Sequence, residues 1–306
     1  MKFIRKFQVM TLAAIIATGL AACGGGSADT AAPPQDAASS RTDDLSANVA
    51  VDESARALLP QSVKDKGTLV IAMELKAPTS AFLAEDAKTP SGFNPDMARL
   101  IAKKLGLQLE IADVGFDNII PALQGNRYDM TASSMSATPE RVAVVDMIEY
   151  LKLGSSIAVA KGNPDGYAVD NLCGKPVVVT KGSIQATKRL PEFSKSQCED
   201  QGKPAIQGII LPSIQDAMTQ LASGRVKAIY YDTPSVRWAA KQQPNRFEVL
   251  MPQVNESTVA VALPKDGELT PAVQAAVQSI MASPMYQEWL GRWGLDGLGI
   301  DAAKLH

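Results

Sequence analysis

The sequence is poor in the side chains that carry much of metal and catalytic chemistry. It has one histidine, His306, and three cysteines among 306 residues. With the single histidine at the last position, a histidine-based metal site or a Ser-His-Asp triad is not expected. We expect no catalytic residue, no metal and no cofactor.

The sequence also lacks a strong charge of either sign and a second long hydrophobic run. The net charge is −2 and the isoelectric point is about 5.6. Nucleic acid requires a basic face, so no nucleic-acid partner is expected. After residues 9–20, no apolar stretch reaches the length of about 18 residues that indicates a membrane span.

The N-terminus has the parts of a secretory signal peptide. Three basic residues open the chain, residues 9–20 are mostly apolar, and small residues follow. The apolar run is shorter than the about 20 residues that a membrane span needs. The sequence Leu-Ala-Ala-Cys at residues 20–23 resembles the bacterial lipoprotein signal, in which Cys23 becomes the lipidated first residue. The alternative is an ordinary cleavage site with an incidental cysteine.

The next stretch is interpreted as a linker. Residues 1–22 are assigned to the signal peptide and residues 23–59 to a flexible tether, because the segment is rich in Ala, Ser, Asp, Pro and Gly and has no aromatic residue. Such a composition cannot bury enough surface to offset the entropy of ordering. About 250 residues remain, enough for one large or two smaller domains.

Two further cysteines, Cys173 and Cys198, follow in the body of the chain. An exported chain meets an oxidising compartment, so a disulfide between them is expected, with two free buried thiols as the alternative. The disulfide would be structural, because neither cysteine has the Cys-x-x-Cys redox spacing.

Strand and helix patterns alternate along the body. Continuous apolar runs and period-two alternation predict strands, and apolar residues at helical spacing between them predict helices. This alternation indicates an α/β fold with largely parallel sheets, in which ligands bind at the carboxyl ends of strands. Strands are predicted at residues 68–73, 107–111, 128–131, 176–180, 206–211, 226–231, 247–250 and 258–263. One helix is predicted to begin with Asn94 as its N-cap and to end at Gly106. Further helices are predicted after Asp117, after Gly182, before Gly224, and at residues 271–281 and 284–293.

Four blocks in this body resemble one known family. They are residues 67–71, residues 92–98, residues 116–141 and residues 224–234. Their order and spacing resemble the family 3 extracellular solute-binding proteins, the polar-amino-acid receptors of ATP-driven importers. The resemblance covers residues 62–297, and residues around Cys173 and Cys198 resemble one branch of the family, which favours the disulfide.

The resemblance implies a two-lobed periplasmic-binding-protein fold of type II, with a ligand cleft between the lobes. Lobe 1 would take residues 60–154 and 256–306, lobe 2 would take residues 155–255, and two crossing strands would join them. The implied partners are an amino acid, an ABC permease in the cytoplasmic membrane, and a membrane that holds the lipid anchor. We expect a monomer.

The resemblance also implies which residues hold the two charges of an amino acid. Arg141 would bind the α-carboxylate with its planar fork, and a solvated arginine in a helix first turn is the alternative. Asp232 would bind the ammonium group, or it would cap the following helix. Ser134 and Ser136 end a strand and would contact the ligand, or they would be ordinary turn serines.

Three further positions are assigned with less support from the pattern. Phe116 would pack on the ligand side chain or belong to the core, and Ser183 would offer backbone N–H groups at the start of a helix. Glu74 would contact a cationic or amide side chain, or it would face water. The first loop, residues 74–82, departs from the family because the usual early aromatic residue is missing or moved.

Two other functions fit the same resemblance. Some proteins of this fold are periplasmic dehydratases, which need a general acid and base, and here Glu74 and Lys181 are the only candidates near the cleft. The second alternative is a sensory role, in which the loaded protein signals to a membrane receptor.

Overall fold

The computed structural model describes residues 44–306. Its strands are β1 (Thr68–Met73), β2 (Lys76–Ala77), β3 (Ala81–Leu83), β4 (Pro90–Ser91), β5 (Gln108–Asp113), β6 (Met130–Ser136), β7 (Val145–Ala160), β8 (Pro176–Thr180), β9 (Gln207–Leu211), β10 (Ala228–Asp232) and β11 (Phe247–Pro264). Its helices are α1 (Glu53–Ala57), α2 (Gln61–Lys66), α3 (Phe93–Leu105), α4 (Ile119–Gln124), α5 (Pro139–Val142), α6 (Leu190–Gln197), α7 (Ile214–Ala222), α8 (Thr233–Gln242), α9 (Thr270–Met281) and α10 (Pro284–Trp293). A 3₁₀ turn at Phe116–Asn118 precedes α4, a π-helical turn at Gln185–Arg189 precedes α6, and another 3₁₀ turn occupies Glu199–Gln201.

Eight of the described strands form one sheet in the order β5-β1-β6-β11-β7-β10-β8-β9. Strands β5, β1 and β6 are mutually parallel and belong to lobe 1, whereas β10, β8 and β9 are parallel and belong to lobe 2. The long strands β7 and β11 are antiparallel to each other and run through both lobes. The expected α/β fold, with two lobes joined by two crossing strands, is confirmed.

The pairing of β7 with β11 is interrupted where the lobes meet. Ile157 pairs with Leu250 on the lobe 2 side, and Leu153 pairs with Ser257 on the lobe 1 side, with register shifts between these pairs. A break in regular pairing leaves the two strands easier to bend than a continuous ladder. We call this segment the hinge.

An aromatic cluster forms the centre of the lobe 1 core. The ring of Trp289, which is fully buried, lies 5.7 Å from Tyr286, 6.0 Å from Tyr150 and 6.3 Å from Phe93 between ring centroids. Its indole N–H donates to the Phe93 carbonyl at 2.9 Å, which satisfies the one polar atom of the ring. The cluster fixes α10 against α3 and β7.

Strands β8 and β10 carry the core of lobe 2 and are covered on both faces. Val178 and Ile229 pack with α7 and α8 on one face, whereas Val177 and Val179 pack on the other. On this second face Cys173 and Cys198 form a disulfide with an S–S distance of 2.01 Å, so the predicted pairing is confirmed.

The described part of the expected tether is folded, and that expectation is wrong for residues 44–59. Leu45, Ala55 and Leu59 are buried in the lobe 1 core, and the Asp52 carboxylate accepts hydrogen bonds from the first N–H groups of α1. Few apolar side chains are present here, but their spacing lets all three reach the same surface. We call residues 44–59 the N-terminal strap. Residues 1–43, with Cys23 and the proposed signal peptide, lie outside the described residues.

Several predicted element boundaries also change. Helix α3 ends at Gly106 as predicted, with φ of 67°, but it begins at Phe93, so Asn94 lies inside the helix and is not its cap. Asp117 lies in the 3₁₀ turn and does not open α4. The two predicted strands at residues 247–250 and 258–263 are one strand, β11.

None of the helices in residues 44–306 combines the length and the apolar character that crossing a membrane requires.

Candidate functional site

A cavity lies between the lobes, where strands of both end. Glu74 follows β1, Ser136 ends β6, Thr180 ends β8 and Asp232 ends β10, which is the edge where α/β sheets bind ligands. The cavity holds about 560 Å³ of space outside protein atoms, part of it open to solvent. Its lining includes all of the predicted binding residues: Glu74, Phe116, Ser134, Ser136, Arg141, Ser183 and Asp232. The remaining lining residues are Ala77, Ser80, Ala81, Asn94, Ser133, Thr180, Ile184, Gln185 and Tyr231.

Arg141 reaches the cavity from the short helix α5. The Thr138 hydroxyl accepts a hydrogen bond from the Arg141 backbone N–H at 3.4 Å and caps this helix. The guanidinium donates to the Ser136 carbonyl at 3.1 Å and to the Gly182 carbonyl of lobe 2 at 3.0 Å. It also lies 5.6 Å from the centroid of the Phe116 ring. The side chain is therefore held in place, and it is not a freely solvated arginine.

The electrostatic state of Arg141 follows from its surroundings. Burial lowers the pKa of the guanidinium to about 10, and the negative charge of Asp232 partly opposes that shift. Since this value lies well above neutral pH, the side chain stays positively charged in the cleft.

Asp232 faces the same cavity from the end of β10. Its carboxylate accepts a hydrogen bond from the Gln185 side chain at 2.8 Å. It stands at the cap position of α8 but makes no side-chain capping bond, so the capping alternative is not observed. Burial raises the pKa of this carboxyl to about 6, while the Gln185 hydrogen bond and the charges of Arg189 and Arg141 act in the opposite direction.

The two predicted serines lie at a bulge near the end of β6. Ser134 has a positive φ of 51°, and the pairing of β6 with β11 shifts beside it. Its hydroxyl lies 3.0 Å from the side-chain nitrogen of Asn94, whose oxygen accepts from the buried Tyr150 hydroxyl at 2.7 Å. The Ser136 hydroxyl lies 3.1 Å from the Ser257 hydroxyl.

Glu74 and Phe116 form one wall of the cavity. The Phe116 backbone N–H points at the Glu74 carboxylate at 3.4 Å. Burial raises the pKa of Glu74, and this hydrogen bond and Lys76 counteract the shift. An acidic group and an aromatic ring therefore stand together at one side of the cavity.

Ser183 lines the cavity, but its polar groups are already used within lobe 2. Its backbone N–H donates to the Thr180 carbonyl at 3.2 Å. Its hydroxyl donates to the same carbonyl at 2.7 Å and accepts from the Ala186 N–H at 3.1 Å. The expectation that Ser183 offers a free N–H is therefore wrong, because this N–H is already hydrogen-bonded within the turn before the π-helical segment.

The unusual first loop forms the small sheet β2-β3-β4 at the cleft rim. Ala77, Ser80 and Ala81 line the cavity, whereas Phe82 is not part of its lining and packs on Trp238 of lobe 2 with 6.2 Å between ring centroids. The Ser80 hydroxyl lies 3.1 Å from the Ser235 hydroxyl of the other lobe. Small residues therefore stand in the part of the cavity to which this loop contributes.

The lobes touch directly on the opposite rim as well. The Lys181 ammonium lies 2.7 Å from the Asp117 carboxylate. Gly182 has φ of +73°, and a Cβ there would lie 3.0 Å from the Asp117 Cα. The structure is therefore a closed form, in which lobe 2 meets lobe 1 on both sides of the cavity.

Among the polar lining residues that sequence reasoning missed, two contact predicted binding residues through their side chains, Asn94 with Ser134 and Gln185 with Asp232. Asn94 was assigned to a helix cap, although its side chain reaches Ser134, and Gln185 was not singled out. The Gly182-Ser183 turn was the available signal for Gln185, because it shows that the next segment starts close to the end of β8.

The comparisons with known proteins agree with this architecture. The sequence profile of the bacterial extracellular solute-binding proteins, family 3, matches residues 69–296, which is more than half of the chain. The chain belongs to this family. It is therefore a solute-binding protein of the extracellular class, and the expected recognition is confirmed.

Three relatives illustrate the similarity. The arginine-binding protein ArgT of Corynebacterium glutamicum is 28% identical over 251 residues, which cover 82% of this chain and 82% of ArgT. A solved ancestral arginine-binding protein bound to arginine has a TM-score of 0.66 and 29% identity, covering 74% of this chain and 98% of that one. The ancestral amino-acid-binding protein AncCDT-1, a precursor of cyclohexadienyl dehydratase, has a TM-score of 0.67 and 25% identity, covering 78% and 99%.

Proposed function

We propose that this solute-binding protein captures an amino acid in the cleft between its lobes and delivers it to an ABC importer. One observation carries the proposal: Arg141 of lobe 1 and Asp232 of lobe 2 face the same cavity with opposite charges. A free amino acid presents a carboxylate and an ammonium on one carbon. A closed pocket must satisfy both charges, because burying an unpaired charge is costly.

The carboxylate would bind to Arg141. A guanidinium forms two parallel hydrogen bonds with a carboxylate, and these are stronger than its present bonds to two neutral carbonyls. The centroid of the Phe116 ring lies 5.6 Å from the guanidinium carbon, within the range of a cation–π contact. Ser134 and Ser136 stand beside it and would contribute hydroxyl or backbone contacts.

The ammonium would bind to Asp232. Gln185 occupies one carboxylate oxygen, which orients the group and leaves the other oxygen for the ligand. A positive charge in contact with Asp232 lowers the pKa of its carboxyl, so ligand binding would ionise the group fully at neutral pH.

The ligand side chain would extend toward Glu74 and Phe116. A carboxylate there accepts hydrogen bonds from a cationic or amide group, and the aromatic face packs on its aliphatic part. The arginine named for ArgT and for the ancestral protein carries both features, so arginine is the first ligand to test.

Closure would couple the two charges. We propose that lobe 1 comprises residues 60–154 and 256–306, extended by the strap, and that lobe 2 comprises residues 155–255. The hinge would open to admit the ligand and close once both lobes hold it. The ligand shifts this equilibrium only by its extra affinity for the closed state, which contacts from two lobes supply.

The cellular setting of the proposal rests on the N-terminal sequence. We propose that residues 1–22 are a signal peptide, that Cys23 is lipidated and anchors the chain to a membrane, and that the tether ends before the strap. The chain would act as a monomer and dock on a permease in its closed form. Mass spectrometry of the membrane-extracted chain tests the anchor, because a diacylated Cys23 changes the mass of the N-terminal peptide.

The test of ligand binding uses the purified full chain and all twenty amino acids. A ligand at 100 times its dissociation constant stabilises the fold by about 2.7 kcal/mol, which raises the unfolding temperature. Arg141→Ala should remove this shift, and the exposed Arg225→Ala should keep it. The proposal fails if a sample freed of bound ligand by unfolding and refolding responds to none of the twenty.

The enzyme alternative has its own test. We propose that the chain is not an enzyme, because the named relatives above are binding proteins, although one of them is a precursor of a dehydratase. Incubation with a cyclic acid such as prephenate, followed by chromatography, should show no turnover. Turnover that is lost in Glu74→Gln would replace the transport proposal.

A further inference from the structure

Arg189 is a buried cation that is not among the residues proposed to contact the ligand. Its side chain is 7% exposed, and it ends the π-helical turn of lobe 2. Within residues 44–306 it forms no ion pair with a carboxylate. A buried charge without a paired partner is costly, so its position calls for a physical reason.

Its two terminal nitrogens donate to one serine on each crossing strand. One donates to the Ser155 hydroxyl of β7 at 2.8 Å, and the other donates to the Ser257 hydroxyl of β11 at 2.6 Å. Ser155 pairs with Asp232 on the lobe 2 side of the hinge, whereas Ser257 pairs with Leu153 on the lobe 1 side. The bond from Arg189 to Ser257 therefore crosses the hinge.

On the lobe 2 side, the contact continues to the proposed ammonium site. The Gln185 side-chain nitrogen lies 2.9 Å from the Ser155 hydroxyl and 2.8 Å from the Asp232 carboxylate. Arg189 and Asp232 are thus linked through two buried polar side chains, and their opposite charges attract each other.

On the lobe 1 side, the contact continues to the proposed carboxylate site. The Ser257 hydroxyl lies 3.1 Å from the Ser136 hydroxyl, and the Ser136 carbonyl accepts a hydrogen bond from Arg141 at 3.1 Å. Arg189 therefore stands between the two residues proposed to hold the ligand, without lining the cavity itself.

We propose that Arg189 is a positioning residue for ligand capture: its bond to Ser257 favours the closed hinge, and its charge keeps the Asp232 carboxylate ionised for the ligand ammonium. This inference rests on the proposed binding of an amino acid. Opening the hinge separates Ser257 from lobe 2 and exposes Arg189 to water, whereas closing restores the bond. The residue thus links the position of the lobes to the charge state of the site.

Electrostatics around Asp232 support this role. Burial favours the neutral acid and raises its pKa to about 6, and Arg189 is one of the two cations that oppose the shift. Removing Arg189 should therefore raise the pKa of Asp232 further, toward neutral pH. The charged and titratable groups that interact with Asp232 are Arg141, Arg189, Tyr150, Tyr230 and Tyr231.

The test measures the dissociation constant against pH by calorimetry on the full chain, between about pH 5 and pH 8. Arginine is the probe, replaced by whichever amino acid binds in the twenty-member screen if arginine is silent. Wild type should lose affinity as pH falls through about 6. Arg189→Met should bind about tenfold more weakly at pH 7, and its loss should begin about one pH unit higher.

Two further variants separate charge from geometry. Arg189→Lys keeps the charge and should keep the wild-type pH midpoint. Ser257→Ala removes the bond across the hinge and the contact with the Ser136 hydroxyl but leaves the charge of Arg189 in place, so it should weaken binding severalfold at every pH without moving the midpoint. Small-angle scattering should also show a larger open fraction for Ser257→Ala at subsaturating ligand.

The outcomes are distinguishable from failure of the proposed function. If wild type binds none of the amino acids, the amino-acid assignment fails before the variants are compared. If wild type binds and Arg189→Met shares its affinity and pH midpoint, the role of Arg189 is refuted. If Arg189→Met does not fold, an unchanged affinity in Ser257→Ala together with a shifted midpoint in Arg189→Lys refutes it equally.

Discussion

Gly182 lies at a contact between the lobes that leaves no room for a single added carbon. It has φ of +73°, and a Cβ would lie 3.0 Å from both the Cα and the Cβ of Asp117 in the opposite lobe. Because the first of these atoms belongs to the backbone, the two lobes must separate by several tenths of an ångström to accept Gly182→Ala. Opening the hinge would remove this contact.

The expected magnitudes differ for stability and for binding. A left-handed alanine costs about 1–2 kcal/mol in the folded state whether the lobes are open or closed, so the free energy of unfolding should fall by that amount. Crowding a packed contact costs a further 1–3 kcal/mol, roughly, and only in the closed form. Ligand affinity should therefore fall about 5- to 150-fold.

Gly162→Ala is the matched control. Gly162 also belongs to lobe 2 and has φ of +77°, but a Cβ there would meet nothing within 4 Å. It should lose the same stability and keep wild-type affinity. Urea unfolding gives the stability of each variant without ligand, and calorimetry gives the affinity. If both variants lose equal stability and bind equally well, ligand capture does not require the contact between Gly182 and Asp117.

Three other changes have expected outcomes. Because the pKa of Asp232 is raised in the fold, the ligand-free protein should be most stable at low pH. The free energy of unfolding should fall as pH rises from about 4 to about 6, by at most about 3 kcal/mol. Asp232→Asn should flatten this slope in urea unfolding measured at several pH values. Replacing Cys173 and Cys198 by serine opens a loop with a separation of 25 residues and should cost about 3.5 kcal/mol of unfolding free energy, with ligand affinity by calorimetry unchanged. Leu59→Ala should lower the free energy of unfolding in urea by about 2–3 kcal/mol, because this strap residue is only 4% exposed. Leu58 is 50% exposed, so Leu58→Ala should lower it by less than about 0.5 kcal/mol. Equal losses in the two variants would mean that the strap does not support lobe 1.

The positions around the cleft could be predicted because the site is built from strand ends. Glu74 and Asp232 each stand where an apolar run stops, Ser136 ends β6, and parallel strands bring such positions to one edge. Arg141 could be placed because Thr138 and Pro139 mark the start of a helix whose first turn faces that edge. These signals are local, so a single sequence contains them.

The features that sequence reasoning missed depend on contacts distant in the chain. Asn94 looked like a cap, but its side chain is fixed by Tyr150 and Ser134, which no local pattern reveals. Strand β11 was predicted as two strands because the residues between Leu250 and Thr258 are mostly polar. They are polar because this part of the strand crosses the hinge and is not buried on both faces. The strap was assigned to a tether because the composition of the whole segment is mostly polar and small. Packing against lobe 1 needs only a few apolar side chains at the right spacing, and composition does not reveal their spacing.

The proposed roles also divide into those that the sequence indicates and those that only the structure reveals. Opposite charges on two lobes follow from the resemblance and from strand ends, and the structure places both at one cavity. The link from Arg189 to both crossing strands is visible only in three dimensions, since Ser155 and Ser257 are about a hundred residues apart.

The passage of β11 through both lobes has a consequence for the order in which the chain can fold. Strand β6 lies between β1 and β11, so it remains an exposed sheet edge until residues 257–264 have been synthesised. The pocket that holds Trp289 in lobe 1 is filled later still. Lobe 2 can assemble most of its strands while lobe 1 is incomplete, and a chain cut before residue 257 would present β6 as an unpaired edge that is prone to aggregate.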